Sequence, residues 1–411
     1  MIKSHGSIPR RHGSDLREGR RMARPVRLLI RGDPEPTSEQ WQALGESLTR
    51  GDPPADRLLE WMHASGMRTA RGQFETALER GIENVPDAPA PLREFFAEVD
   101  RRPSWVNPEL MEEGARASGI SGLTGLRVLR DLALMGGYQA SAINRALILT
   151  GALQGGVQRR LAETTKWWID CTRPGGMQRF GTGFKMTLRV RLIHAMIRRH
   201  VQGLKEWDSA ELGMPVNQGD MFVTYLGFCV VFLFGQRLMG VPLTRKEGRA
   251  VMHLWRYIGW LMGVEERWLY DEEMQGRIAL YQNLLAQAPP DESSKLLGRA
   301  GRDEPLQRHY RRLKWLRGRY ERARHLSICR LFLGAKGMRA LGLPTMVLPW
   351  YPLISAPLIA GWHGLHRLLP GGRERLIRNG RAAQVDYLRV LFGDQKPDIG
   401  GMRAPTRAHP A

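Results

Sequence analysis

Cysteine is nearly missing from these 411 residues. Cys171, Cys229 and Cys329 are odd in number, far apart and without CxxC spacing, which excludes a disulfide framework and a cysteine-based zinc or redox pair. A reducing, cytoplasmic compartment is therefore expected. Lysine is also sparse, nine residues against 53 arginines spread through every part of the chain, and this reads first as a coding bias. Walker A, HExxH, GxSxG and strand-to-helix GxGxxG motifs are all lacking, which removes the commonest phosphate-binding, zinc-hydrolase and serine-hydrolase readings. No repeat of fixed period is visible, so a solenoid is not expected. The pairs Arg10-Arg11 and Arg20-Arg21 are not followed by the apolar run of an export signal, since Arg27 interrupts Val26 to Ile30; no export is expected.

What is present is a large apolar inventory and a strong positive charge. An apolar share of 42% with 12 Trp and 18 Met is ample for a substantial core. The net charge of +21 favours an anionic partner, whether nucleic acid, a membrane surface or an acidic cofactor. No nucleic-acid motif accompanies the charge, so no specific nucleic-acid partner is expected.

Apolar residues recur every three or four positions through about 55–80, 107–118, 139–170, 184–204, 219–239, 310–335 and 372–392, and no stretch alternates for long. The fold class is all-α. Thr37 with Gln40 and Thr244 with Glu247 have capping-box spacing. One helical domain is expected over 37–392, between a basic flexible tail at 1–36 and a Pro- and Gly-rich tail at 393–411. Gly151 to Gly156 sits in a helical pattern and is a poor phosphate cradle. Glu265, Glu266, Asp271, Glu272 and Glu273 have no histidine at metal-ligand spacing and read as a solvated acidic face. The 23 residues from Ala340 to Trp362 carry no formal charge but include Pro344, Pro349, Pro352 and Pro357. Four prolines argue against a simple spanning helix and for a buried, broken helix or the wall of an apolar pocket. Peripheral membrane contact, helped by Arg339, Arg367 and Arg373, is the other reading.

The informative region is Arg189-Val-Arg-Leu-Ile-His-Ala-Met-Ile-Arg-Arg-His200. On a helix, Val190, Ile193, Ile197 and Val201 form an apolar stripe, and Arg191, His194 and Arg198 form a second stripe beside it. Two accounts fit: a satisfied core histidine, or an imidazole ligand for haem iron with fixed cations near two propionates. In Val157 to Trp168, Arg160 and Thr164 project one turn apart from a largely apolar stripe. They are either a satisfied core pair or donors towards a bound oxygen species.

At these residues the chain resembles the family of mpaB and the rubber oxygenases of the latex clearing protein type. The resemblance rests on Arg160-Leu-Ala-Glu-Thr164, on His194 thirty residues after that threonine, and on Val190-Arg-Leu-Ile-His-Ala195. Pro103-Ser-Trp105, Gly213-Met-Pro-Val-Asn-Gln218 and Leu254-Trp-Arg-Tyr-Ile-Gly259 extend it over roughly 100 to 280. It implies a globin-like helical fold and b-type haem held without covalent attachment. His194 would be the proximal iron ligand, Arg191 and Arg198 would hold the propionates, and Arg160 and Thr164 would face the distal pocket. It also implies an oxygenase using O2 on a small apolar substrate of an unsaturated, isoprenoid-like kind; the alternative is a non-catalytic haem or lipid binder of the same fold. Two positions depart from the rubber-cleaving pattern. Glu163 stands where those members have a distal lysine, and Asn144 stands where they have a catalytic glutamate. An amide cannot accept a proton near neutral pH, so Asn144 puts rubber itself in doubt as the substrate.

Overall fold

Helix starts follow local side-chain chemistry throughout the chain. Thr37 accepts from the Gln40 amide at 3.2 Å while the Gln40 side chain accepts from the Thr37 amide at 3.0 Å. Thr244 and Glu247 repeat the exchange at 3.2 and 2.8 Å. Asp52, Asn107 and Asn217 cap the helices Pro53–Ala64, Pro108–Ile120 and Gln218–Leu226. The computed structural model describes residues 7–151 and 157–394, and every regular element among them is helical.

The periodic stretches become helices with breaks where glycine permits them. The pattern over 55–80 divides into Pro53–Ala64 and Met67–Arg80 at Gly66, whose φ of +91° suits a residue without Cβ. The pattern over 139–170 divides into Ser141–Leu149 and Val157–Cys171. Of the Gly151–Gly156 run, 152–156 lie outside the described residues, as do 395–411 of the expected C-terminal tail.

At the centre, Arg245–Leu261 packs along Pro108–Ile120. The contact is close because Gly114 faces it: a Cβ there would stand 2.3 Å from the Ala250 carbonyl oxygen. Trp255 stacks on Phe228 at 4.8 Å, and Trp167 meets both rings edge-on at 5.6 and 5.3 Å. Gln218–Leu238 is the one stretch among the described residues long and apolar enough to cross a membrane, but 56% of its most apolar window is buried inside the protein. It reads as a core helix. It is interrupted by a π-helical turn at Gly227–Val231, which packs on a second π-helical turn at Leu129–Leu134.

Two expectations are corrected here. The N-terminal segment is no solvated tail from residue 7 onward. Leu16–Arg27 is a helix packed on Glu273–Ala286, with Ala23 fully buried, and Arg11 is buried in an ion pair with Asp220 at 2.8 Å. Gly19 and Ala23 make the inner face of that helix, so its periodicity was carried by small residues rather than large apolar ones. The Ala340–Trp362 segment is buried only at Leu341, Leu343 and Pro352, and none of its residues lines the cavity described below. It runs through a turn and then into the Trp350–Leu368 helix, whose apolar side chains are largely exposed.

The helix carrying the histidine, Thr182–Gln202, is locked to the start of Pro53–Ala64. Arg191 donates to both oxygens of Asp52 at 2.7 and 2.8 Å, to Glu98 at 3.1 Å and to the Leu261 carbonyl at 3.4 Å. Arg198 donates to Asp56 at 3.2 Å and to the Val216 carbonyl at 3.3 Å. Burial opposes the Arg191 charge, but Asp52 and Glu98 outweigh it and hold the proton more firmly than usual. Asp52 also caps its own helix, where a carboxylate is favoured. Gly263, at φ +87°, closes over the pair: a Cβ there would lie 2.2 Å from Asp52 Oδ2.

Removing one partner of a buried pair strands the other charge, at a cost of about 3–5 kcal/mol. Asp52 is 2% exposed and Asp56 33% exposed, so Arg191→Met should lower the urea unfolding midpoint well below that of Arg198→Met. Equal losses for the two variants would show that burial of the carboxylate does not set the cost.

Candidate active site

A cavity of about 2130 Å³ opens between the Ser141–Leu149, Val157–Cys171, Thr182–Gln202 and Gln218–Leu238 helices. It exceeds the roughly 300–1,000 Å³ of ordinary ligand pockets. Its wall is mostly apolar: Ile143, Val190, Ile193, Ile197, Phe228 and Phe234 all line it. Both π-helical turns contribute residues to the wall, a placement in keeping with the frequency of such turns at functional sites.

Thr182–Gln202 has two buried sides. Leu188, Leu192 and Ala195 pack into the core, while Val190, Ile193, Met196 and Ile197 face the cavity. His194 lies on the cavity side. Its Nδ1 is shut off from solvent and takes no hydrogen-bond partner. Burial first, then the positive charge of Arg198, push the imidazole down to about 4; Asp52 pulls the other way, and Arg160 adds a smaller push. The ring is thus neutral at physiological pH with its lone pair available, the form in which histidine binds metals.

Arg160 and Thr164 present their accessible surface to the same cavity from Val157–Cys171. Among the described residues, no carboxylate lies within ion-pair distance of Arg160. Burial makes its proton easier to lose than usual, only partly offset by Tyr138 and Glu163. Glu163 is committed to Arg159 at 2.8 Å. Tyr138, which sequence reasoning missed, lines the cavity near Arg160, and burial pushes its hydroxyl up to about 12. It is a neutral donor at any ordinary pH. Only the Gly136-Gly137 interruption before it hinted that the helix would end there and turn the ring inward.

Asn144 also reaches the cavity wall, but its amide is tied into the scaffold. Nδ2 donates to the Tyr138 carbonyl at 2.7 Å and to Ser294 Oγ at 3.2 Å, while Oδ1 is buried without a partner. The structure therefore brings His194, Arg160, Thr164 and Asn144 to one cavity. It does not bring Arg191 and Arg198 there: neither lines the cavity, and both guanidinium groups are spent on Asp52, Glu98 and Asp56. The reason is angular. Steps of three or four residues place a side chain 60° or 40° round the helix from His194, enough to turn both arginines towards Pro53–Ala64. The expected acidic face is likewise engaged rather than free, with Glu265 on Arg50 at 2.7 Å and Glu273 on Arg277 at 2.6 Å.

Residues 126–368 match the family model described as ER-bound oxygenase mpaB/B'/Rubber oxygenase, catalytic domain. The chain belongs to the mpaB/rubber oxygenase family. The match holds most of the cavity's helices, including the segment from Asn144 to His194. Among solved structures, the fold is similar to that of the latex clearing protein in its closed state, with a TM-score of 0.61 and 18% sequence identity. The alignment covers 83% of this chain and 91% of that one. At this identity the likeness is one of fold. No curated protein matches the chain. The family is one of oxygenases, and within it this member has Asn144 and Glu163 at the two departing positions already noted.

The depressed imidazole has a consequence for the ligand-free protein. His194 takes up a proton near pH 6.5 when unfolded but only near 4 when folded. Its contribution to stability is therefore complete above 6.5 and is lost as pH falls towards 4. Urea midpoints should decline through that window, and His194→Leu should flatten the decline. Parallel curves for the two proteins would remove His194 as the cause.

Proposed function

We propose that the protein is a b-type haem oxygenase that uses O2 on a small, apolar, unsaturated substrate. The observation that carries this reading is a neutral imidazole, unpartnered among the described residues, on the wall of a large apolar cavity that also holds Arg160, which has no ion pair among the described residues. A porphyrin suits those residues: His194 supplies the nitrogen ligand, and the apolar wall suits the macrocycle. Bound haem would supply the redox-active iron through which O2 and a carbon–carbon double bond can react.

The chain's own residues do the rest. Arg160, Thr164 and Tyr138 are donors directed into the cavity, placed to orient oxygen atoms there in a poorly hydrated setting where such bonds are strong. With Arg191 and Arg198 engaged elsewhere, the haem carboxylates would turn to other cations that line the cavity, among them Arg68 and Arg199. Arg68 and Arg199 are exposed, so these contacts would be partly solvated and modest in strength. The aliphatic and aromatic wall exchanges water for an apolar substrate without offering it competing polar groups. Asn144 removes no proton, so no proton transfer runs through that position. The same compartment expected from the cysteine content, the cytoplasm, is proposed for the protein.

One observation favours a second reading, a haem or lipid binder without turnover: Asn144 is fixed by scaffold hydrogen bonds and its amide cannot act as a base. Spectroscopy and oxygen uptake separate the two. Purified protein should show a Soret band that His194→Ala abolishes. Arg160→Ala should keep the band while oxygen uptake with an unsaturated isoprenoid falls about a hundredfold, the loss typical of removing one preorganised donor. A folded, colourless protein from haem-replete cells defeats both haem readings; a Soret band with no oxygen uptake on any alkene supports the binder.

A further inference from the structure

A second apolar surface, formed by exposed side chains, lies away from the cavity. On Trp350–Leu368, Leu353, Ile354, Leu358, Trp362, Leu365 and Leu368 are between 54% and 84% exposed. They share one side of the helix. The other side carries Pro352, His363 and His366, which are buried against the protein. Met346 and Leu348, in the turn before it, are 95% and 74% exposed. The surface continues onto the start of the Lys314–Ala340 helix, where Tyr320 meets Trp350 with ring centroids 6.1 Å apart. Leu313, Trp315 and Leu316 are exposed there as well.

Charge beside this surface is mainly positive. From Pro305 to Arg373 the sequence has thirteen Lys and Arg and a single acidic residue, Glu321; Arg308, Arg322, Arg324, Arg367 and Arg373 are engaged in ion pairs. Arg311, Arg312, Lys314 and Arg317 are exposed beside Leu313, Trp315 and Leu316, and none has an ion pair among the described residues. We infer that the exposed side of Trp350–Leu368, with the start of Lys314–Ala340, docks on an anionic lipid bilayer and lies along it without crossing.

Three features select this occupant. Leucines and tryptophans on an exposed helix side, bordered by arginines, match an interfacial helix; Trp and Tyr favour the headgroup level, where one part of the ring is apolar and the other wet. A second copy of the chain would bring two surfaces of the same charge together, which is unfavourable, whereas an anionic bilayer neutralises the arginines. Pro352 and Pro357, together with the protein packed on the opposite side, leave a helix that can lie on lipid but not enter it. The proposal stands independently of the haem reading.

Sedimentation with vesicles tests it, using the full chain. Phosphatidylcholine vesicles containing phosphatidylglycerol should take up the protein far better than phosphatidylcholine alone, and added salt should weaken the uptake. Ile354→Glu with Leu358→Glu should reduce binding about tenfold or more, as should Arg312→Gln, Lys314→Gln and Arg317→Gln together, with circular dichroism and thermal midpoint unchanged. Vesicle binding that both sets leave intact would overturn the assignment. So would a dimer in light scattering that Leu358→Glu dissociates, with no vesicle binding by the parent protein.

Discussion

Two guanidinium groups seven residues apart on Thr182–Gln202 meet two carboxylates four residues apart at the beginning of Pro53–Ala64. Because a helix advances 100° per residue, anchoring Arg191 and Arg198 on one side fixes what the neighbouring side presents, and His194 is turned to the cavity. The lock is held in several ways at once. Asp52 serves as helix cap and as the bidentate partner of Arg191, and the Gly263 backbone leaves no room for a side chain beside them. These groups are connected, so the histidine's orientation does not rest on a single rotamer.

The same arrangement governs the electrostatics of the cavity. The charge of Arg198 acts on His194 from within the same helix, and that of Arg160 acts from the facing one; both disfavour a proton on the ring. Each does so from a different situation: Arg198 is paired with Asp56, whereas among the described residues no carboxylate lies within ion-pair distance of Arg160. The cavity thus sets an arginine beside a neutral base, a combination that suits a ligand with electron-rich atoms.

Helix class, most helix positions and both capping boxes were legible in the chain because they depend on near neighbours: a period of 3.6 residues and a hydroxyl three residues before a carboxylate or amide. His194, Arg160 and Thr164 were legible for the same reason, each belonging to a short local pattern. What failed depended on partners distant in sequence. Nothing around Arg191 announces Asp52, 139 residues away, so a cation near the histidine read as a ligand contact instead of a strut. Gly19 and Ala23 form a buried face without large side chains, and the segment around them therefore resembled a solvated tail. The uncharged run from Ala340 reads as interior or as a membrane-facing surface because apolar length says nothing about what covers it; the structure places most of it outside.

The two π-helical turns, Leu129–Leu134 and Gly227–Val231, have a further effect on the cavity they border. A π turn accommodates one residue more than the α-helix around it, so the residues beyond it keep their facing although the chain has gained a position. Taking one residue out of either turn would restore a regular helix with its flanks still in register, and would withdraw only the stretch of wall that the widened turn presents. The contour of this chamber is consequently encoded in the number of residues along its helices as well as in their chemistry, so that insertions and deletions of a single position are a way of reshaping it that substitutions cannot reproduce.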